Sequence, residues 1–230
     1  MHGGDTAQRH GCPSTLVRRS TPACVSTEAG AVQVPSRVVT ARRLSQAISE
    51  GDGISVLVEV RDGDGALAAE EQGAKGVVLR DHADGVREAT QLPLLIYGPP
   101  PQEASRSAAD AVVLAAEDES ERLEELVGQA AELGLECVVR VRDEQDLERV
   151  LEHLDPEIFL LCAEGAEDGQ AHLDRVLELL PDVPAGKLAI AELAGASRAE
   201  IIELERAGVD AVLVSAGDVG PLVGEAPPEV

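Results

Sequence analysis

From residue 54 onward the chain repeats one unit, and that repetition limits its possible folds more than any other feature. A short run rich in Val, Leu and Ile is followed by a longer acidic stretch, eight times over. The runs are ISVLVEV (54–60), KGVVLR (75–80), LPLLIYG (92–98), AVVLAAE (111–117), ECVVRVR (136–142), EIFLLCA (157–163), KLAIAEL (187–193) and AVLVSAG (211–217). Several are apolar nearly throughout, as expected of parallel strands covered on both faces. Their starts lie 17 to 30 residues apart, a spacing that suits strand–loop–helix units.

The intervening stretches carry helical periodicity. ESERLEELVGQAAELG (119–134) sets Leu123, Leu126, Val127 and Ala130 on one stripe, and DEQDLERVLEHL (143–154) does the same with Leu147, Val150, Leu151 and Leu154. HLDRVLELL and SRAEIIELERAG repeat the pattern. Asp143 and Ser197 stand where N-caps belong, and Gly134 and Gly208 where helices stop. Leu44, Ala47 and Ile48 predict a short leading helix within residues 38–50.

Eight such units predict an α/β fold, a closed (β/α)8 TIM barrel over residues 37–230 with trimmed loops. An open doubly wound sheet is the alternative, and no G-x-G-x-x-G fingerprint follows the first strand to decide the matter. After the last run comes DVGPLVGEAPPEV, whose three prolines make a poor eighth helix, so the barrel is expected to be incompletely covered there.

Charge divides the chain. Residues 1–43 hold six arginines against Asp5 and Glu28, a balance of +4, while residues 44–230 hold 13 basic and 41 acidic residues, a balance of -28. Residues 1–36, rich in Gly, Ser, Thr and Pro, are expected to form a disordered basic head, with an anchor for an acidic partner as the functional alternative. The acidic body repels phosphate backbones, and one Tyr, one Phe and no Trp leave nothing for base stacking, so nucleic acid is not an expected partner. No run approaches 18 apolar residues and the N-terminus has no apolar signal core, so no membrane is expected either, and the location expected is cytoplasmic.

Cys12, Cys24, Cys137 and Cys162 show no C-x-x-C spacing, and Cys137 and Cys162 sit in apolar runs as buried thiols. His82, His153 and His172 are isolated from one another, so no metal and no cofactor are expected. Only Lys75 and Lys187 among 19 basic residues are lysines. A GC-rich genome and adaptation to salt are the two readings of that shortage.

The stretches AADAVVLAAED, AAELGLECVVRVRDEQDLERVLE and AGVDAVLVSAG resemble the indole-3-glycerol-phosphate synthase family of tryptophan biosynthesis. The resemblance implies a phosphate-binding barrel and a carboxy-lyase that decarboxylates and cyclises a carboxyphenylamino-deoxyribulose phosphate. That chemistry needs a lysine general acid, a glutamate base and charged groups at the C-terminal strand ends.

Here the pattern is altered position by position. Glu59 matches a family glutamate, but the family lysine two residues on is Arg61. Tyr97 stands where the third strand's catalytic lysine belongs, followed by Gly98 in place of an aspartate. Arg140 replaces a glutamate, Leu161-Cys162-Ala163-Glu164 an asparagine-bearing strand end, and Glu192 is kept. Gly195, Ser215 and Gly217 are what remains to meet a phosphate, largely through backbone N–H groups. Arginine holds an anion but does not readily yield its proton. Lys75 and Lys187 begin their strands, about 15–20 Å from the active face.

Two readings of Glu59, Arg61, Arg140 and Glu192 stand side by side. One is an internal ion-pair network in a retired site. The other is a remodelled anion site with Arg61 and Arg140 as clamps, and Arg142 as a possible third member. The expected function is therefore a synthase-like phosphate-binding barrel with lost or altered activity, taking a sugar phosphate or other small anion. An active carbon–carbon lyase and a non-catalytic scaffold are the alternatives. Oligomeric state is left open.

Overall fold

The strands close. In a computed structural model describing residues 44–51, 53–81, 83–116, 120–162, 169–193, 195–215, 217 and 219–223, eight parallel strands pair in sequence order and the first pairs with the last. They are β1 (Ser55–Glu59), β2 (Gly76–Leu79), β3 (Leu94–Tyr97), β4 (Ala111–Ala115), β5 (Glu136–Val141), β6 (Ile158–Leu161), β7 (Leu188–Leu193) and β8 (Ala211–Val214). The closing register sets Leu57 opposite Leu213 and Val58 opposite Val214. Closure decides for the (β/α)8 barrel over the open sheet. The head over 1–36 lies outside the described residues, as does His82.

The connecting helices are α2 (Gly63–Glu71), α3 (Val86–Ala89), α4 (Pro101–Arg106), α5 (Ser120–Glu132), α6 (Glu144–His153), α7 (Gly169–Leu179) and α8 (Arg198–Ala207). Asp143 caps α6 by accepting from the Asp146 N–H. Ser197 and Glu200 form a reciprocal capping box on α8. Gly208 ends α8 at φ 99°, a left-handed conformation that costs glycine least.

Strand alternation sorts the core into two layers. Val56, Val58, Val77, Val112, Val139, Phe159, Leu161 and Val212 face outward and are buried under the helices. Leu57, Val78, Leu95, Val113, Val138, Leu160, Ile190 and Leu213 fill the barrel interior. Its buried members are all aliphatic, with Tyr97 packed against them at the mouth, which is how a chain with one Phe and no Trp can build it.

The leading helix α1 (Leu44–Ser49) plugs the N-terminal end. Leu44 and Ile48 join the interior cluster. The Ser45 hydroxyl and N–H both donate to the Glu136 carboxylate at the start of β5, and the Ser55 hydroxyl donates to the Ile48 carbonyl at 3.2 Å. Gly76 makes room for the plug: a Cβ there would lie 2.9 Å from Leu57 Cδ2 and 3.5 Å from Leu44 Cδ1.

No helix follows β8 among the described residues. Val219 and Leu222 pack on the outer core, Gln72 Oε1 accepts from the Val219 N–H at 2.8 Å, and Arg198 donates to the Leu222 carbonyl at 2.6 Å. Among the described residues no helix is long and apolar enough to cross a membrane.

Candidate functional site at the C-terminal mouth

Inward parity carries the last or penultimate residue of several strands to one end of the barrel. Glu59 follows Leu57, Tyr97 follows Leu95, Arg140 follows Val138 and Glu192 follows Ile190. By the same parity Val78 is followed by Arg80, which the sequence reading passes over.

Arg80 joins the set together. Its Nε donates to Glu59 Oε2 at 2.8 Å and its Nη2 donates to Glu192 Oε1. Its guanidinium carbon lies 4.2 Å from the Tyr97 ring centroid, within cation–π range. The Tyr97 hydroxyl donates to Glu192 Oε2 at 2.7 Å, and Arg140 Nε stands 3.9 Å from the same oxygen. Glu192 thus receives three groups from β2, β3 and β5. Two arginines and two glutamates balance each other in one confined cluster.

Electrostatics fixes the protons there. Burial, then the charge and hydrogen bond of Glu192, raises the Tyr97 pKa well above the ordinary phenol value. Burial works against the charge on Arg80, but hydrogen bonds to Glu59 and Glu192 outweigh it and hold its pKa above the ordinary guanidinium value. Neither group yields a proton near neutral pH. The arrangement is built to hold charge in place, and no lysine stands in it among the described residues.

Arg61 stands apart. β1 ends at Glu59, and the chain turns at once toward Asp62, which caps α2 by accepting from the Gly65 N–H at 2.8 Å. Arg61 lies exposed in that turn and lines a groove of about 310 Å³ together with Glu59, Gln72 and Gly217. Arg142 belongs to another assembly: it pairs with the buried Asp146 at 2.8 Å, and Arg149 takes the second oxygen at 3.0 Å. These bonds outweigh burial and hold the Asp146 pKa below its ordinary value.

Gly195, Ser215 and Gly217 are exposed just beyond the ends of β7 and β8. Close by, the Glu200 carboxylate already accepts from the Ser197 N–H at 2.6 Å at the start of α8. Lys75 and Lys187 immediately precede β2 and β7. Lys187 pairs with Asp155 at 2.8 Å and Glu157 at 3.0 Å, a tether for the entry of its strand. Cys162 is buried, with Sγ 3.3 Å from the Val141 carbonyl oxygen. His153 lies exposed at the end of α6, 3.7 Å from Glu124. No group of three His, Cys, Asp or Glu side chains among the described residues is arranged to hold a metal ion. Ala163 and Glu164 lie outside the described residues.

Comparison with known proteins gives the lineage. A family model described as indole-3-glycerol phosphate synthase matches residues 101–217. That stretch takes in Arg140, Glu192, Gly195, Ser215 and Gly217, whereas Glu59, Arg61 and Tyr97 precede it. The indole-3-glycerol phosphate synthase of Rhodococcus jostii (strain RHA1) is 31% identical over 170 residues, covering 71% of this chain and 58% of that protein. The one from Geobacillus sp. (strain WCH70) is 30% identical over 141 residues, covering 59% and 55%. The matched part of the chain thus spans little more than half the length of these curated relatives. Among solved structures, the N-acetylmannosamine-6-phosphate 2-epimerase from Clostridium perfringens superposes with a TM-score of 0.60 at 15% identity, covering 70% of this chain and 86% of that one. That likeness concerns the fold alone. The match over half the chain, on a closed eight-stranded barrel, places this protein in the indole-3-glycerol phosphate synthase family.

Proposed function

We propose that this chain is a member of the family that has given up the synthase reaction and keeps a binding role. In this reading it holds a phosphate-bearing small molecule at the ends of β7 and β8 without converting it. One observation carries the reading: Glu192 is engaged by Arg80, Tyr97 and Arg140 within the protein itself. A glutamate so engaged is taken up by the protein's own groups, and the tyrosine in place of a lysine holds its proton too tightly to act as an acid. Both lysines of the sequence stand at the opposite end of the barrel. Exposed Gly195, Ser215 and Gly217 offer backbone N–H groups to a phosphate.

The test is direct. Purified protein is given carboxyphenylamino-deoxyribulose phosphate and indole formation is followed by fluorescence. The expected rate equals that of a heat-killed control, and turnover above it overturns the loss of catalysis. Inorganic phosphate should raise the melting temperature at constant ionic strength, and Ser215→Asp should remove that effect. A melting temperature indifferent to phosphate overturns the binding role at these strand ends.

A further inference from the structure

A (β/α)8 barrel ordinarily covers its last strand with a helix. Here residues 219–223 lie against the outer core after β8, and they form a single turn. The Leu222 and Val223 N–H groups donate to the Val219 carbonyl at 2.8 and 3.1 Å. Val219 is 1% exposed, Leu222 and Val223 are half-buried, and Gly220 and Pro221 are exposed. Gly73 provides the seat for Val223, since a Cβ there would lie 3.2 Å from Val223 Cγ1. Side chains of the two flanking helices hold the turn down. Gln72, at the C-terminal end of α2, accepts through one oxygen from the Val219 N–H at 2.8 Å and the Gly220 N–H at 3.2 Å. Arg198, the first residue of α8, donates to the Leu222 carbonyl at 2.6 Å. Gln72 also lines the groove beside Arg61, as does Gly217 at the root of the turn, and Val58 lies at the foot of that groove, 2% exposed.

We infer that residues 219–223 are a releasable strap, latched by Gln72, which opens as a unit ahead of the barrel and admits small molecules to the foot of the groove at Val58. The contrast with the neighbouring elements carries this. Every strand is held by a strand on each side, and α8 has a reciprocal capping box with Ile201 and Leu204 fully buried. The strap has one fully buried side chain, is fastened to its surroundings by two side chains from other elements, and contains a proline that brings no N–H. Segments with few buried apolar contacts and side-chain fastenings are the ones that open below the global unfolding free energy. Because Gln72 is at once the latch and a wall of the groove, releasing the strap and opening the groove are one event. The strap does not depend on phosphate binding at β7 and β8.

Amide hydrogen exchange resolved by residue in the full chain tests this. The Leu222 and Val223 amides are the readout, because they bond to Val219 and not to Gln72. Corrected for intrinsic rates, they should be at least about a hundredfold less protected than the Leu57 and Leu213 amides of β1 and β8. Gln72→Leu removes the acceptor and should lower their protection by about tenfold further, leaving the strand amides unchanged. Gln72→Glu keeps an acceptor and should hold protection within about threefold of the parent chain. A second reading comes from Val58→Cys in a Cys12→Ser/Cys24→Ser chain, with labelling by a disulfide reagent taken as the excess over the same chain carrying Val58. Gln72→Leu should speed that labelling by the same factor as it speeds exchange. Strap amides as protected as the strands, equal exchange in Gln72→Leu and Gln72→Glu, or loss of strand protection along with that of the strap each overturn the latch. Labelling at position 58 that is indifferent to Gln72→Leu overturns the opening of the groove.

Discussion

Replacing Glu192 with Gln separates a structural charge network from a working site. The substitution keeps the shape of the side chain and removes the charge shared by Arg80, Tyr97 and Arg140. Hydrogen bonds to a charged acceptor are roughly twice as strong as neutral ones, so the Arg80 and Tyr97 bonds each weaken by about 0.5–1 kcal/mol. Arg80 is 37% exposed, which places its share at the low end. Arg140 loses its counter-charge at 3.9 Å, adding about 0.5–1 kcal/mol. The sum is roughly 1.5–3 kcal/mol of lost stability, which for a chain of this size lowers the melting temperature by about 3–12 °C. Differential scanning calorimetry measures it. Absorbance at 295 nm gives a second reading, because every tyrosinate signal comes from position 97. In the parent chain the phenol should remain protonated well past about pH 10, its usual midpoint, and in Glu192→Gln ionisation should move back toward that value. The raised pKa also sets a sign. The stability linked to this proton is complete below about pH 10 and is lost as pH climbs toward the folded-state value. A melting temperature that is unchanged or higher in Glu192→Gln would refute the reasoning, since strained functional sites are the ones that gain stability when their charged groups are removed.

Asp146→Asn should cost about 1.5–3 kcal/mol, because Asp146 is buried and its partners Arg142 and Arg149 are partly exposed. Its lowered pKa makes the contribution complete above about pH 5 and lost as pH falls through its folded-state value, so parent and variant melting curves should converge on acidification and a constant gap would count against the assignment. The Cys137 thiol is pushed up to about 11 by burial, and Cys162 is buried as well, so in a Cys12→Ser/Cys24→Ser variant neither should react with a disulfide reagent at pH 8 until denaturant is added; rapid stoichiometric labelling of the folded chain would contradict this. A net charge of -24 predicts that melting temperature rises between low salt and about 0.5 M KCl as self-repulsion is screened, whereas a flat profile would mean that the acids are already locally compensated.

The barrel was legible because its signals are local and repeated. Apolar runs of strand length, the Asp143 and Ser197 caps and the Gly208 stop each reappear in the structure close to their expected places. The runs overshoot the strands at the mouth, where the chain must leave the sheet: Gly98 and Pro99 end β3, and the Asp62 cap draws the chain away after Glu59. The family texture also proves largely architectural. In AADAVVL and GVDAVLV, Asp110 and Asp210 use a carboxylate oxygen to accept from the Leu94 and Ala189 N–H groups at 2.8 Å, tying neighbouring strands. In RDEQDLERVLE, Asp146 gathers Arg142 and Arg149, and Arg149 reaches the Ala116 carbonyl at 3.0 Å. These residues hold the barrel together whatever chemistry its mouth performs. Arg80 was harder to see because the resemblance points to no residue on β2. Continuing the inward parity of Val78 by one step would have found it. Arg61 lies beyond the end of β1, so it lines a groove with Glu59 and Gly217 rather than joining the ion pairs around Glu192.

The substitutions at the mouth make sense as a set rather than one at a time. In the family pattern a lysine on the third strand faces acidic neighbours, and here that position is Tyr97, which brings no positive charge. Glu192, kept on β7, would then be short of a counter-charge in a half-buried site, a costly arrangement. Replacing the fifth strand's glutamate by Arg140 removes one acid and adds one cation near the same carboxylate, while Arg80 supplies another from β2. The Tyr97 ring takes the Arg80 guanidinium on its face and its hydroxyl completes Glu192. Charge is thereby balanced as well as lysine would balance it, but by groups that do not exchange protons near neutral pH. Tyr97→Lys alone should be poorly tolerated, because Arg140 would then face the new cation across Glu192 as a like charge. The reversal has to be undone on both strands, and the double substitution Tyr97→Lys/Arg140→Glu should be better tolerated than Tyr97→Lys alone, with a coupling of about 0.5–3 kcal/mol in a double-mutant cycle. Strict additivity of the two would mean that the strands changed independently.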